Sequence, residues 1–195
     1  DPNDWDVSLI KDMSNLFSGI EYFNKDISSW DVSNVTNMSG MFMYCKHFNY
    51  SLNSWDVGAV VDMSSMFEGA LVYNQPMINW NVCNVKNMKR MFYSASEFNQ
   101  DLNDWDTSNV INMEYMFHNC IIFNQPLDNW NVSKVRNMVG LFSGCTEFNQ
   151  NINSWDVSNV NDMFELFWKC FKFNQPLNDW NLISLTNSNN MFNEC

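Results

Sequence analysis

Trp stands at positions 5, 30, 55, 80, 105, 130, 155 and 180, an interval of 25 residues repeated seven times without insertion or deletion. No other property of the chain restricts its fold so tightly. A second aromatic column runs Phe23, Phe48, Tyr73, Phe98, Phe123, Phe148 and Phe173, and a third runs Phe17, Phe42, Phe67, Phe92, Phe117, Phe142, Phe167 and Phe192. A fixed period of this length marks stacked units, each of which buries its apolar columns only against its neighbours. There is a partial coil, 1–20, and then seven full coils, 21–45, 46–70, 71–95, 96–120, 121–145, 146–170 and 171–195. They read as one domain, 1–195. Burying one Phe, Leu, Met or Val is worth roughly 1.5–3 kcal/mol against backbone ordering of about 1–2 kcal/mol per residue, so one coil cannot stand alone.

Within a coil, Met38, Met41, Phe42 and Cys45 fall at i, i+3, i+4 and i+7, which predicts a helix of about two turns. An Asp or Asn always precedes it, at 12, 37, 62, 87, 112, 137, 162 and 187, in the place of an N-cap. Gly19, Gly69, Asn119 and Gly144 fall where a left-handed C-cap belongs. The remainder, Phe48 to Val60, has uneven apolar steps that suit an extended arc with a short parallel strand, near Trp-Asp-Val or near Phe-Asn-Gln-Pro-Leu. The expected fold class is therefore a repeat solenoid, leucine-rich-repeat-like, with strand, arc and helix in every coil. Pro76, Pro126 and Pro176 suit corners that need no backbone donor. The unsubstituted column Asn24, Asn49, Asn74, Asn99, Asn124, Asn149 and Asn174 predicts a ladder of side-chain hydrogen bonds onto backbone.

The run Asn34 to Cys45, "NVTNMSGMFMYC", followed by "FN" and "SWDV", resembles the 25-residue repeat of mycoplasma lipoproteins and of BspA-like leucine-rich-repeat surface proteins. The resemblance covers the whole chain and departs only in the last coil, where Ser188 replaces the first Met and "LISLTNSNN" replaces "VSNVTNM". It implies a right-handed solenoid on surface-exposed, adhesive or interaction proteins of bacteria and some protists, with related arrays in giant viruses. It brings no catalytic residues.

Charge and chemistry narrow the function. The net charge of −12 disfavours nucleic acid or an anionic membrane as a partner, and no 20-residue apolar span suggests membrane insertion. The chain begins at Asp1 and reads as a segment of a longer protein whose ends flanking sequence or a neighbouring molecule would cover. Cys45, Cys120, Cys145, Cys170 and Cys195 share a column with Ile20, Ala70 and Ala95, which predicts small buried sites holding reduced thiols. Cys83 stands apart in a Ser column, and no Cys/His spacing suits zinc. Asp6, Asp31, Asp56, Asp106 and Asp156 alternate with Asn81, Asn131 and Asn181, as Asx turns allow and a calcium loop does not. His47 and His118 have no nucleophile at a recognisable spacing. The expectation is no enzyme, no cofactor and no metal.

A 50-residue beat underlies the 25-residue one. Coils 71–95, 121–145 and 171–195 carry Gln-Pro and Trp-Asn, and the charges of the coils from 46–70 onward run −2, +3, −5, +1, −3 and −1. Lys86, Lys89, Arg90, Lys134 and Arg136 therefore read as inter-coil partners. Partner specificity should lie in columns that differ between coils, above all Ser18, Met43, Glu68, Tyr93, His118, Ser143, Trp168 and Asn193. Beside it run Leu71-Val72, Ile121-Ile122 and Phe171-Lys172, facing Lys46-His47, Ser96-Glu97 and Thr146-Glu147 in alternate coils. Trp168 with Phe171 is the strongest candidate for binding, because exposed apolar groups mark interfaces and Trp is enriched in hot spots. The competing reading makes these residues satellite core over a corner.

Three functions follow as expectations. The first is a non-enzymatic scaffold for protein–protein interaction or adhesion on a cell surface or particle, with end-to-end or lateral self-association. The second is a structural component of a virion or surface layer. The third is a carbohydrate-binding array, which requires the Trp column to be exposed.

Overall fold

The protein is described by a computed structural model covering residues 2–195. Successive coils lie over one another: seven isolated parallel bridges join Asp12 to Asn37, Asn37 to Asp62 and so on to Asn187. One continuous core runs from Val7 to Met191.

The segment Met38 to Cys45 has the apolar spacing of a helix without its hydrogen bonds. Met41, Met43 and Cys45 donate their N–H groups to the carbonyls of Met38, Gly40 and Phe42, at 3.2, 3.0 and 3.0 Å, closing overlapping β-turns. The alternate donors, Met38, Gly40, Phe42 and Tyr44, reach instead the carbonyls of Asp62, Ser64, Met66 and Glu68 in the next coil at 2.6–2.9 Å. The carbonyls of Asn37, Ser39, Met41 and Met43 accept in turn from Met13, Asn15, Phe17 and Gly19. Asn37 Oδ1 takes the remaining donor, the N–H of Ser39, at 3.0 Å. With local turns and inter-coil bonds alternating, every backbone donor of this segment is paired, as a packed interior demands.

This overturns the expected solenoid with a strand and a helix in each coil. Among the described residues there is no α-helix and no sheet; the only helical element is the 3-10 turn Pro2–Asp4. The reason is backbone geometry. Two residues per coil are left-handed: the column Asn15, Gly40, Ser65, Arg90, Tyr115, Gly140, Glu165, Asn190, at φ 54–61°, and the column Gly19, Tyr44, Gly69, Ser94, Asn119, Gly144, Lys169, Glu194, at φ 56–77°. A left-handed residue at the third position of a turn is what a type II turn requires, and it stops an α-helix. The Asp/Asn column that would have capped a helix carries the bridges. Its side chains still accept the N–H two residues on, as a cap would, but no helix follows. Neither the Trp-Asp-Val nor the Phe-Asn-Gln-Pro-Leu stretch is a strand.

Stacked rings fill the interior. The Phe17 to Phe192 column is continuous, with centroids 5.5–5.9 Å apart. Each of these rings from Phe17 to Phe167 lies on the second aromatic column at 3.8–4.3 Å. Trp30 to Trp180 are buried, and each indole N–H donates to the carbonyl 28 residues earlier, as Trp55 does to Ile27 at 3.1 Å. The Asn column forms its ladder: Asn49 N–H donates to Asn24 Oδ1, Asn74 to Asn49, and so on to Asn174. All six thiols are free, and those of Cys45, Cys120, Cys145 and Cys170 are buried and donate to backbone carbonyls of the coil before.

Charge pairs also join neighbours. Lys46–Glu21, Lys89–Glu114, Arg90–Glu68, Lys169–Glu194 and Lys172–Glu147 each link adjacent coils. Lys134 donates to Asn109 Oδ1 at 2.7 Å, whereas Lys86 and Arg136 form no ion pair among the described residues.

Candidate interaction face

The turn segment buries Met38, Met41, Phe42 and Cys45 and presents the residues between them, so Ser39, Met43, Tyr44 and their equivalents form one face of the stack. Because inter-coil hydrogen bonds here use the backbone, these side chains are free to differ, and they do.

A polar and aromatic cluster occupies this face across coils 21–45 to 96–120. Glu68 is 4% exposed and accepts from Tyr44 Oη at 2.9 Å and from Ser65 Oγ at 2.8 Å, with Arg90 Nη1 3.7 Å away. A polar group so deep needs such partners. The hydrogen bond to Glu68, and its charge, raise the Tyr44 phenol above its ordinary pKa. The Arg90 guanidinium lies 5.0 Å from the Tyr93 ring and 5.6 Å from the Tyr115 ring. His118 stacks on Tyr93 at 4.6 Å and meets Tyr115 edge-on at 5.5 Å. Burial, and then the Arg90 charge, push the imidazole down to about 4, so it is neutral at neutral pH. Left-handed glycines make room for the rings: a Cβ on Gly69 would lie 2.4 Å from Tyr44, and one on Gly140 would lie 2.3 Å from Tyr115.

Of the residues singled out from sequence, Tyr93 and His118 are thus brought together. Met43, Val72 and Trp168 are partly buried, Trp168 with Lys169 Nζ 4.1 Å above its ring. Leu71, Ile121 and Ile122 are exposed at the neighbouring corner, and Phe171 is 61% exposed. Arg90, Tyr115 and Tyr44 were missed as parts of a site. They lie in the two left-handed columns, whose mixture of Gly with large residues was the available signal. The Trp column offers no sugar-binding face, because only Trp5 of its indoles is exposed.

The Asp6, Asp31, Asp106 and Asp156 carboxylates each accept from the Ser two residues on, in Asx turns, and those bonds hold them below the usual carboxylate range. No helix of the described residues is long and apolar enough to cross a membrane. Residues 1–105 and 91–195 each match the family described as Mycoplasma protein of unknown function, DUF285, in two overlapping copies that cover the chain. No curated protein matches it.

Proposed function

The chain belongs to this Mycoplasma repeat family, DUF285, and from that premise we propose that it is a non-enzymatic scaffold for protein–protein interaction or adhesion, kin to BspA-like surface proteins and displayed on a cell surface. One observation carries the reading. Phe, Trp, Asn and Cys columns are consumed by packing and inter-coil hydrogen bonds, whereas the turn face and its corner vary from coil to coil and leave Leu71, Ile121, Ile122 and Phe171 in solvent. Alternate coils carry these groups, so with neighbouring rungs about 5 Å apart the apolar spots recur about every 10 Å, separated by polar rungs such as Ser96-Glu97. Scattered exposed apolar groups need no explanation; a periodic row of them suits a partner docking along the stack.

The test is a quantitative pull-down of candidate surface partners with three proteins: the native chain, a corner variant (Leu71→Ser, Ile121→Ser, Phe171→Ser) and a control (Lys86→Ala, Arg136→Ala) on a different column. The corner variant loses partners that the control keeps. Identical bound sets for all three would remove the corner as the binding surface.

A further inference from the structure

Away from the turn columns, three consecutive coils enclose an open groove of about 430 Å³ whose lining includes Asp26, Ser28, Tyr50, Asn53 and Asn79. Its size lies within the range of small-ligand sites, and the residues that line it are Asp, Ser, Asn and Tyr, which offer carbon surface and hydrogen-bonding groups together. It exists because the repeat is broken at this place in three ways.

The first break is Tyr50. Apart from Lys25, its column is held by Gln75, Gln100, Gln125, Gln150 and Gln175, and each of these Gln donates Nε2 to the Asn of the coil before at 2.8–3.2 Å. Tyr50 leaves that ladder; the residue is 40% exposed and its hydroxyl has no protein partner among the described residues. The second break concerns Asn53. The equivalent Asn103 and Asn153 spend Nδ2 on Asp128 and Asp179 of the following coil, at 3.1 and 2.6 Å. Asn53 takes the Asn79 N–H on Oδ1 at 3.0 Å, as Asn103 and Asn153 take theirs, but Ile78 and Asn79 stand where those coils have a carboxylate, so its Nδ2 is unspent. The third is Ser51, a small residue in a column that otherwise holds Asp, Asn or Pro. Across the groove Asp26 accepts from Ser28 N and Oγ through Oδ1 alone, at 3.0 and 2.7 Å, which leaves its second oxygen to the solvent.

The unspent groups are a carboxylate oxygen that only accepts, an amide that only donates, the two-way amide of Asn79, and a flat ring with a hydroxyl. A sugar ring matches all four, since adjacent hydroxyls donate to the carboxylate and accept from the amide while the C–H face covers the aromatic. A cation would leave the amide donors unused, and an anion would be repelled by Asp26. We propose that this groove binds a neutral sugar, with its ring laid on Tyr50 and its hydroxyls shared between Asp26, Asn53 and Asn79.

The test is an NMR titration of the isotope-labelled chain with the methyl glycosides of glucose, galactose, mannose and N-acetylglucosamine, up to about 50 mM, because so open a site gives millimolar affinity. At least one sugar moves the side-chain amides of Asn53 and Asn79 saturably. Tyr50→Gln restores the residue that five other coils carry, so it keeps the fold, and it weakens binding about tenfold, the worth of one aromatic face. Asp26→Ala weakens it as well. The proposal is overturned when no sugar moves those amides, when Tyr50→Gln binds as the native chain does, or when a Lys-Gly-Lys peptide shifts them more strongly than every sugar.

Discussion

Tyr73 is the one member of its column that is not Phe, and its hydroxyl is buried with no hydrogen-bond partner among the described residues. Its ring lies 4.1 Å from Phe67 and 5.7 Å from Phe48, as the Phe rings of other coils do. Tyr73→Phe therefore removes an unpaid desolvation cost and changes little else. A buried hydroxyl without a partner costs about 1–3 kcal/mol, and the small void left by the oxygen returns under 1 kcal/mol of that. The variant should be more stable by about 1 kcal/mol, which raises Tm by about 2–4 °C in a chain of this length. Urea unfolding is the assay, read as a higher midpoint at unchanged slope. Burial also lifts the Tyr73 phenol far above its ordinary pKa of about 10. Above that pH the unfolded chain ionises and the folded one does not, so native stability falls with rising pH and the variant's advantage widens. A lower midpoint for Tyr73→Phe would refute the reasoning, since the hydroxyl would then have a partner worth keeping.

Gly140→Ala should lose about 2 kcal/mol, combining a left-handed Ala with a Cβ 2.3 Å from the Tyr115 ring; Gly19→Ala, with nothing within 4 Å, should lose only the backbone part, and urea midpoints compare the two. His118 has a folded pKa pushed down to about 4, so full stability holds above about pH 6.5 and declines as pH falls from there towards 4, by up to about 1.4 kcal/mol per unit. His118→Phe should flatten the urea midpoint between about pH 7 and 5; an unchanged slope there would exclude the imidazole as its source. Deleting residues 96–120 should leave a folded, shorter stack, whereas deleting 97–120 should not, and circular dichroism melts of the two deletions check this.

Which residues face inward was legible in the sequence, because a column held by aromatic or aliphatic residues, or by Cys and Ala, in nearly every coil has no other use. The Asn ladder was legible from its uniformity: the column Asn24 to Asn174 is unsubstituted because each Oδ1 from Asn24 to Asn149 holds one particular N–H of the next coil. The helix was misread because overlapping turns with three-residue steps also bury i, i+3, i+4 and i+7, so Met38, Met41, Phe42 and Cys45 satisfy both geometries. Arg90, Tyr115 and Glu165 concealed the difference; they occupy left-handed positions where Gly40 and Gly140 alone would have signalled a turn. Of the candidate site, the variable column was visible, but the Glu68–Arg90–Tyr93–His118 cluster was not. Glu68, Tyr93 and His118 share the variable column, but Arg90 comes from a left-handed column that gave no sign of facing it, and only the turn geometry and the stacking of coils join them.

Alternation of hydrogen bonds explains why a period of 25 is kept so strictly. In each turn segment the donors of Met38, Gly40, Phe42 and Tyr44 point to the next coil while those of Met41, Met43 and Cys45 close turns within their own. A shift of one residue would exchange the two sets, aim turn donors at a neighbour that offers no acceptor, and carry Phe42 out of the ring stack. Each left-handed non-glycine costs roughly 1–2 kcal/mol, and the inter-coil bonds on both sides offset that cost only when the register is right. Register is thus fixed by backbone and core together. Side chains on the turn face add pair contacts between coils, such as Tyr44 to Glu68, but no column there must repeat one residue, which is why Ser18, Glu68, His118 and Trp168 can stand in one column. The same division predicts where new binding specificity can arise: at face and corner positions, and at breaks such as Tyr50 where a ladder residue has been given up.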